Sequence, residues 1–133
     1  MPNVRATASV TVTTNASGDG TGYILVDPGA LVLAIGYTKD GTTPYSNGVG
    51  LAVTVEATAQ AVLALASGGS NMDASLVKYP RAQVHDAADG SVMTVDGTRK
   101  NVAPVPVAQG QRLKFVVNAG GNTKTGAFYA LLG

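Results

Sequence analysis

His85 is the chain's one histidine, and Asp86 follows it directly, so this dipeptide is the first place to look for acid–base or nucleophilic chemistry. A Ser-His-Asp site needs the acid on one ring nitrogen and the serine on the other. Adjacent residues of a strand point to opposite faces, so Asp86 is badly placed to orient His85. No Gly-x-Ser-x-Gly elbow occurs to supply a nucleophile. One histidine and no cysteine exclude the usual zinc ligand sets. Calcium wants about six to eight oxygens, commonly from clustered carboxylates. Asp19 stands alone in a glycine-rich stretch, and Asp86 and Asp89 lack an Asp-x-Asp-x-Asp spacing, so all three read as turn residues. Glu56 is the only glutamate and falls on a strand pattern, away from any partner acid in sequence. Residues 18–22 carry three glycines but neither a phosphate-loop lysine nor a following helix, and read as a tight turn. With no Trp in the chain, Tyr45, in a loop over residues 40–48, is the one ring that reads as a sugar platform or interface anchor. The expectation is a protein that is not an enzyme and uses no metal and no cofactor.

Composition points the same way. The 133 residues suit a single domain, 1–133, with no linker or repeat to divide it. Without cysteine there is no disulfide, and a reducing compartment is allowed. Residues 1–5 lead into no apolar run of the secretory kind, and no apolar stretch approaches the ~20 residues of a membrane span. Charged residues make up 13% of the chain, against about 25% in an average domain. Net charge is +1, and the nine Lys and Arg are scattered, with none of the basic striping that nucleic-acid binding leaves. A surface so poor in charge is either neutral and polar or covered by partners.

The elements that would carry these residues have a period of two almost throughout. In residues 6–14, Ala6, Ala8, Val10 and Val12 alternate with Thr and Ser. A strand follows at 23–26. Leu31–Lys39 is apolar on both faces, with Leu31, Leu33, Ile35 and Tyr37 on one side, and so should be central in its sheet. Residues 49–57 alternate with Leu51, Val53 and Val55 on one face. Residues 60–67 read as a strand with Ala61, Leu63 and Leu65 together. Residues 72–77 suit a helical turn or two, until Tyr79-Pro80 forces extended backbone. Short strands are expected at 82–86 and 92–95, with Asp96-Gly97 a hairpin turn. Pro104 and Pro106 confine residues 102–107 to an edge or loop. Residues 111–118, with Leu113, Phe115 and Val117 inward, and 126–132 close the chain. About eight to ten short, mostly antiparallel strands and no firm helix predict an all-β, single-domain β-sandwich or barrel-like fold.

Three stretches together resemble a known group. They are Gly20-Thr21-Gly22-Tyr23 leading to Val32-Leu33-Ala34-Ile35-Gly36-Tyr37; then Tyr79-Pro80-Arg81-Ala82-Gln83-Val84-His85-Asp86-Ala87; then Pro106-Val107-Ala108-Gln109-Gly110-Gln111-Arg112-Leu113-Lys114 with Gly120-Gly121-Asn122-Thr123-Lys124-Thr125-Gly126. The pattern, over residues 14 to 133, is similar to small head-region structural proteins of tailed bacteriophages, the minor capsid or decoration proteins. The resemblance rests on turn-and-strand signatures and carries no catalytic residue. It implies a virion protein on the head surface, made in the bacterial host cytoplasm. The major capsid protein and further copies of the chain, as a homotrimer or alternatively a homodimer, would be its partners, without nucleic acid or membrane. The alternative is a tail- or fibre-associated module contacting a host glycan or protein. Met1, Pro2, Asn3, Val4 and Arg5, an expected extended arm ahead of the first strong strand, and Tyr45 are the residues expected to make capsid or subunit contacts.

Overall fold

A computed structural model of the chain describes residues 4–26, 30–83, 85, 87–92, 102–107 and 111–133. In chain order the strands are β1 (Arg5–Ala6), β2 (Val10–Thr13), β3 (Gly20–Leu25), β4 (Leu31–Lys39), β5 (Gly50–Val55) and β6 (Gln60–Leu65). They continue as β7 (Leu76–Lys78), β8 (Ala82–Gln83), β9 (Val102–Ala103), β10 (Val105–Pro106), β11 (Arg112–Asn118) and β12 (Thr125–Leu132). No helix occurs among the described residues, so none there is long and apolar enough to cross a membrane. The strands form two antiparallel sheets packed face to face, an all-β sandwich-like domain as the alternation predicts, plus a small β8–β9 pair. The larger sheet runs β1-β12-β4-β10, with β2 also on β12 and β7 also on β4; the smaller runs β3-β11-β5-β6.

β4 and β12 are the spine of the larger sheet, which bears out the central place expected of a strand apolar on both faces. Phe128 opposes Tyr37, and Ala130 opposes Ile35; all four are buried against the smaller sheet. From the other layer, Leu113, Phe115 and Val117 of β11 point inward as expected, fully buried beside Leu51, Val53 and Val55 of β5. Four rings tie the layers together. Tyr37 stacks on Phe128 at 5.2 Å and on Tyr45 at 5.9 Å, and Phe128 meets Phe115 of the opposite sheet at 5.5 Å. Such pairs each add about 0.5–1.5 kcal/mol beyond the area they bury.

Two bulges correct the expected faces, because one extra residue reverses which side chains turn inward. On β4 the register shifts so that Leu132 opposes Val32 and Leu131 opposes Ala34. Val32 is therefore buried with Val105, while Leu31 lies on the solvent side. On β6 the shift against Val53 and Thr54 buries Val62 and leaves Ala61 exposed. The helical turn considered over residues 72–77 does not form: Met72 plugs the core and β7 then pairs with β4. The two prolines behave as expected, since β10 is an edge strand. The strand and turn expected over 92–97 lie, apart from Val92, outside the described residues.

Candidate functional site

The residues picked out for chemistry do not converge. His85 is exposed and makes an isolated bridge with Val92; Asp86 lies outside the described residues. Asp89 closes its own turn, its Oδ1 accepting the Ser91 backbone N–H at 2.9 Å and the Ser91 hydroxyl at 2.7 Å. Asp40 does likewise: its Oδ2 accepts the N–H groups of Thr43 (2.7 Å) and Thr42 (3.0 Å), bonds that hold the carboxyl below its ordinary range. Glu56 takes both forks of the Arg112 guanidinium at 2.6 and 2.7 Å, which holds its carboxyl low, and the same guanidinium lies 4.1 Å over the Tyr23 ring. Among the described residues, no three His, Asp or Glu side chains gather as a metal would need.

Tyr45 requires a correction. Expected as an exposed loop ring, it is 5% exposed and stacked in the aromatic core. Its hydroxyl donates to the Val12 carbonyl at 2.6 Å, and burial pushes the phenol well above its ordinary pKa, with Tyr37 adding to the effect. The loop folds inward because apolar ring area is worth more buried than solvated, and the one polar atom finds a carbonyl. Tyr45 thus positions the loop, with little of its side chain left at the surface. Of the expected arm, Met1, Pro2 and Asn3 lie outside the described residues. Val4 is exposed, and Arg5 already sits in β1, opposite Leu132 of the chain's own β12.

Sequence reasoning missed the solvent face of the larger sheet. Because Tyr37, Phe128 and Ala130 face the core, their neighbours Gly36, Tyr129 and Leu131 face outward. Val77 of β7 is opposite Gly36, on the same outer side. Tyr129 lies across Gly36 so closely that a Cβ there would run into the ring. Next to this pair stands Val77, well exposed; Leu131, half-buried, follows on β12, Leu31, also well exposed, lies at the far end of β4, and Tyr79, just beyond β7, is 66% exposed. Beside them, Tyr37, Thr38, Ser75, Leu76, Val77 and Tyr129 line an open depression of about 370 Å³. Arg81 borders the patch, its guanidinium donating to the carbonyls of Leu33 (2.9 Å) and Pro80 (2.7 Å). Tyr and Arg are among the residues enriched in interface hot spots. The signal was present in sequence: β4 and β12 are both apolar on both faces, and one of those faces had to meet something other than the core.

No family model, no curated protein and no solved structure matches the chain.

Proposed function

We propose that the chain is a structural component of a tailed-phage virion, a decoration or cement protein on the head surface that stabilises the shell. The observation that carries this reading is the apolar, aromatic outer face of the larger sheet, with Tyr79, Val77 and Leu31 open to solvent and Tyr129 half-buried among them. Patches of that kind on a folded domain serve as interaction sites. The low charge supports the same reading, since interface cores are depleted in charge. The resemblance to head-region proteins names the partner: the major capsid protein, met on the outside of the shell. Copies of the chain would sit at symmetric positions, as a three-fold cap or, in the alternative, a two-fold dimer. No contact with nucleic acid or membrane enters the reading. The protein would be made in the host cytoplasm and end on the virion.

Co-sedimentation with empty heads of the parent phage tests it. The intact protein pellets with heads, and Val77→Asp, which places a bare charge in the contact, weakens that binding by roughly tenfold or more. An intact protein that stays in the supernatant ends the capsid reading. Removal of residues 1–4, which spares β1, should lower head binding and leave the fold unchanged.

One observation favours the alternative, a tail or fibre module for a host glycan. Tyr79 and Tyr129 stand on or beside one sheet face, where sugar rings could stack. Loss of host-cell binding in Tyr79→Ala, with head binding absent in both proteins, would select it.

A further inference from the structure

An antiparallel sandwich has four sheet edges, and each exposes backbone donors and acceptors that can pair with another chain. Three of them here carry a recognised guard. The β1–β2 edge is interrupted at residues 7–9 and carries Arg5. The β7–β10 edge carries Lys78 and Pro106. Beside β3 run residues 6–10, which together with Tyr23, Ile24 and Leu25 enclose a groove of about 500 Å³, and Arg112 covers the Tyr23 ring. The fourth edge, β6, has neither charge nor proline. From Ala57 to Met72 not one residue is ionisable, and none is proline.

The backbone of β6 is available for pairing. The Glu56 N–H donates to the Arg112 carbonyl at 2.9 Å, so the even-numbered residues of β5 bond to β11 and the odd ones to β6. Leu63 and Leu65, opposite Val53 and Leu51, therefore bond inward, and the N–H and C=O of Ala64 point away from the sheet. Ala66 is turned the same way, and its carbonyl accepts from the Asn71 side chain at 3.0 Å, which marks the end of the open run. The bulge at Val62 marks its beginning. Leu63 and Leu65 are only partly covered, at the rim of the core.

We propose that β6 pairs antiparallel with β6 of a second copy, joining the two smaller sheets across a two-fold axis. The occupant is argued from charge. About a two-fold axis residue i meets residue j and j meets i, and only the residue on the axis meets its own copy; Ala64, the outward-bonding residue of the open run, falls there, so a charge at that position meets its like. β3 also lacks charge but has residues 6–10 beside it, so β6 is the uncharged edge that lies open among the described residues. Pairing would also cover the rims of Leu63 and Leu65 with their counterparts. The open run is short, so the contact is weaker than a standard interface of about 800 Å² per partner, and it is concentration-dependent in solution. The inference deepens the self-association in the function proposed above by choosing the two-fold arrangement, but it rests on the sheet edge and stands whether or not the partner is a phage shell.

Sedimentation equilibrium on the whole protein tests it, from micromolar to near-millimolar concentration. The intact chain passes from monomer to dimer over that range. Ala64→Lys and Ala64→Glu, whose side chains enter solvent on the outer face, each weaken the dimer by about tenfold through like-charge contact, with unchanged circular dichroism. Mixed in equal amounts, the two variants recover the dimer. Ala64→Pro, which removes the outward N–H and no bond to β5, also stays monomeric. An intact protein that remains monomeric throughout, or charged variants that dimerise as tightly as the parent, overturns the proposal. Head binding in the separate co-sedimentation assay is unaffected by either outcome, so failure of the dimer and failure of the capsid reading are told apart.

Discussion

The larger sheet carries a glycine beneath a tyrosine on each of its faces, and the two pairs do opposite things. On the inner face Gly126 lies under Tyr45 and Tyr37; a Cβ would meet the Tyr45 ring and come within 2.8 Å of Tyr37. Both rings are buried and stacked, so neither can move aside. On the outer face Gly36 lies under the far end of the Tyr129 ring, which is half-buried, lines the open depression and can swing away. The same local device locks the core on one side and shapes an open surface on the other. What separates them is the freedom of the neighbouring ring, which depends on the second layer and not on the glycine.

Substitutions can break or sharpen this contrast. The largest effect is expected from Phe128→Ala, which removes the ring that joins Tyr37, Tyr45 and Phe115. It should cost about 3–5 kcal/mol in urea unfolding. Gly126→Ala should follow at about 1–3 kcal/mol, since the methyl must displace packed rings. If it proves neutral, the inner face is looser than its stacking implies. Tyr45→Phe should cost about 1 kcal/mol, because it leaves the Val12 carbonyl without its donor.

That variant should also change the alkaline limb of stability. Burial raises the phenol pKa of Tyr45 and of Tyr37, the latter with help from the carboxylates of Asp40 and Asp73. The unfolded chain releases these protons near pH 10, while the folded chain retains them. The stability they confer is complete below about pH 10 and is lost as pH rises above it, and Tyr45→Phe should make that loss shallower. The smallest effect on unfolding is expected from Gly36→Ala, within about 1 kcal/mol of the parent. Moving Tyr129 costs packing, and the added methyl removes part of the backbone freedom a glycine has when unfolded. Its consequence should instead appear in binding to heads.

The fold was legible wherever one residue alternation met one buried face. β5, β11 and β12 sit close to their expected bounds, and β5 and β11 turn the expected residues inward. Legibility failed where an inserted residue reset the alternation, at Leu33 on β4 and Val62 on β6, because a bulge is set by the partner strand and leaves no local signature. Tyr45 was misread for a related reason. A polar loop with one aromatic looks exposed until the core supplies a space for the ring and a carbonyl for its hydroxyl. The outer patch is assembled from β4, β7 and β12, which are distant in sequence, so no spacing within one segment could reveal it.

Cryo-electron microscopy of the proposed parent phage head shows where the domain sits and which face it turns to the shell. Under the proposed role, copies of this domain stand on the outer surface of the shell, with Tyr79, Val77, Leu31 and Tyr129 turned against the major capsid protein. Heads without it would end the capsid role, and a domain attached with that face open to solvent would end the assignment of the outer sheet face as the contact.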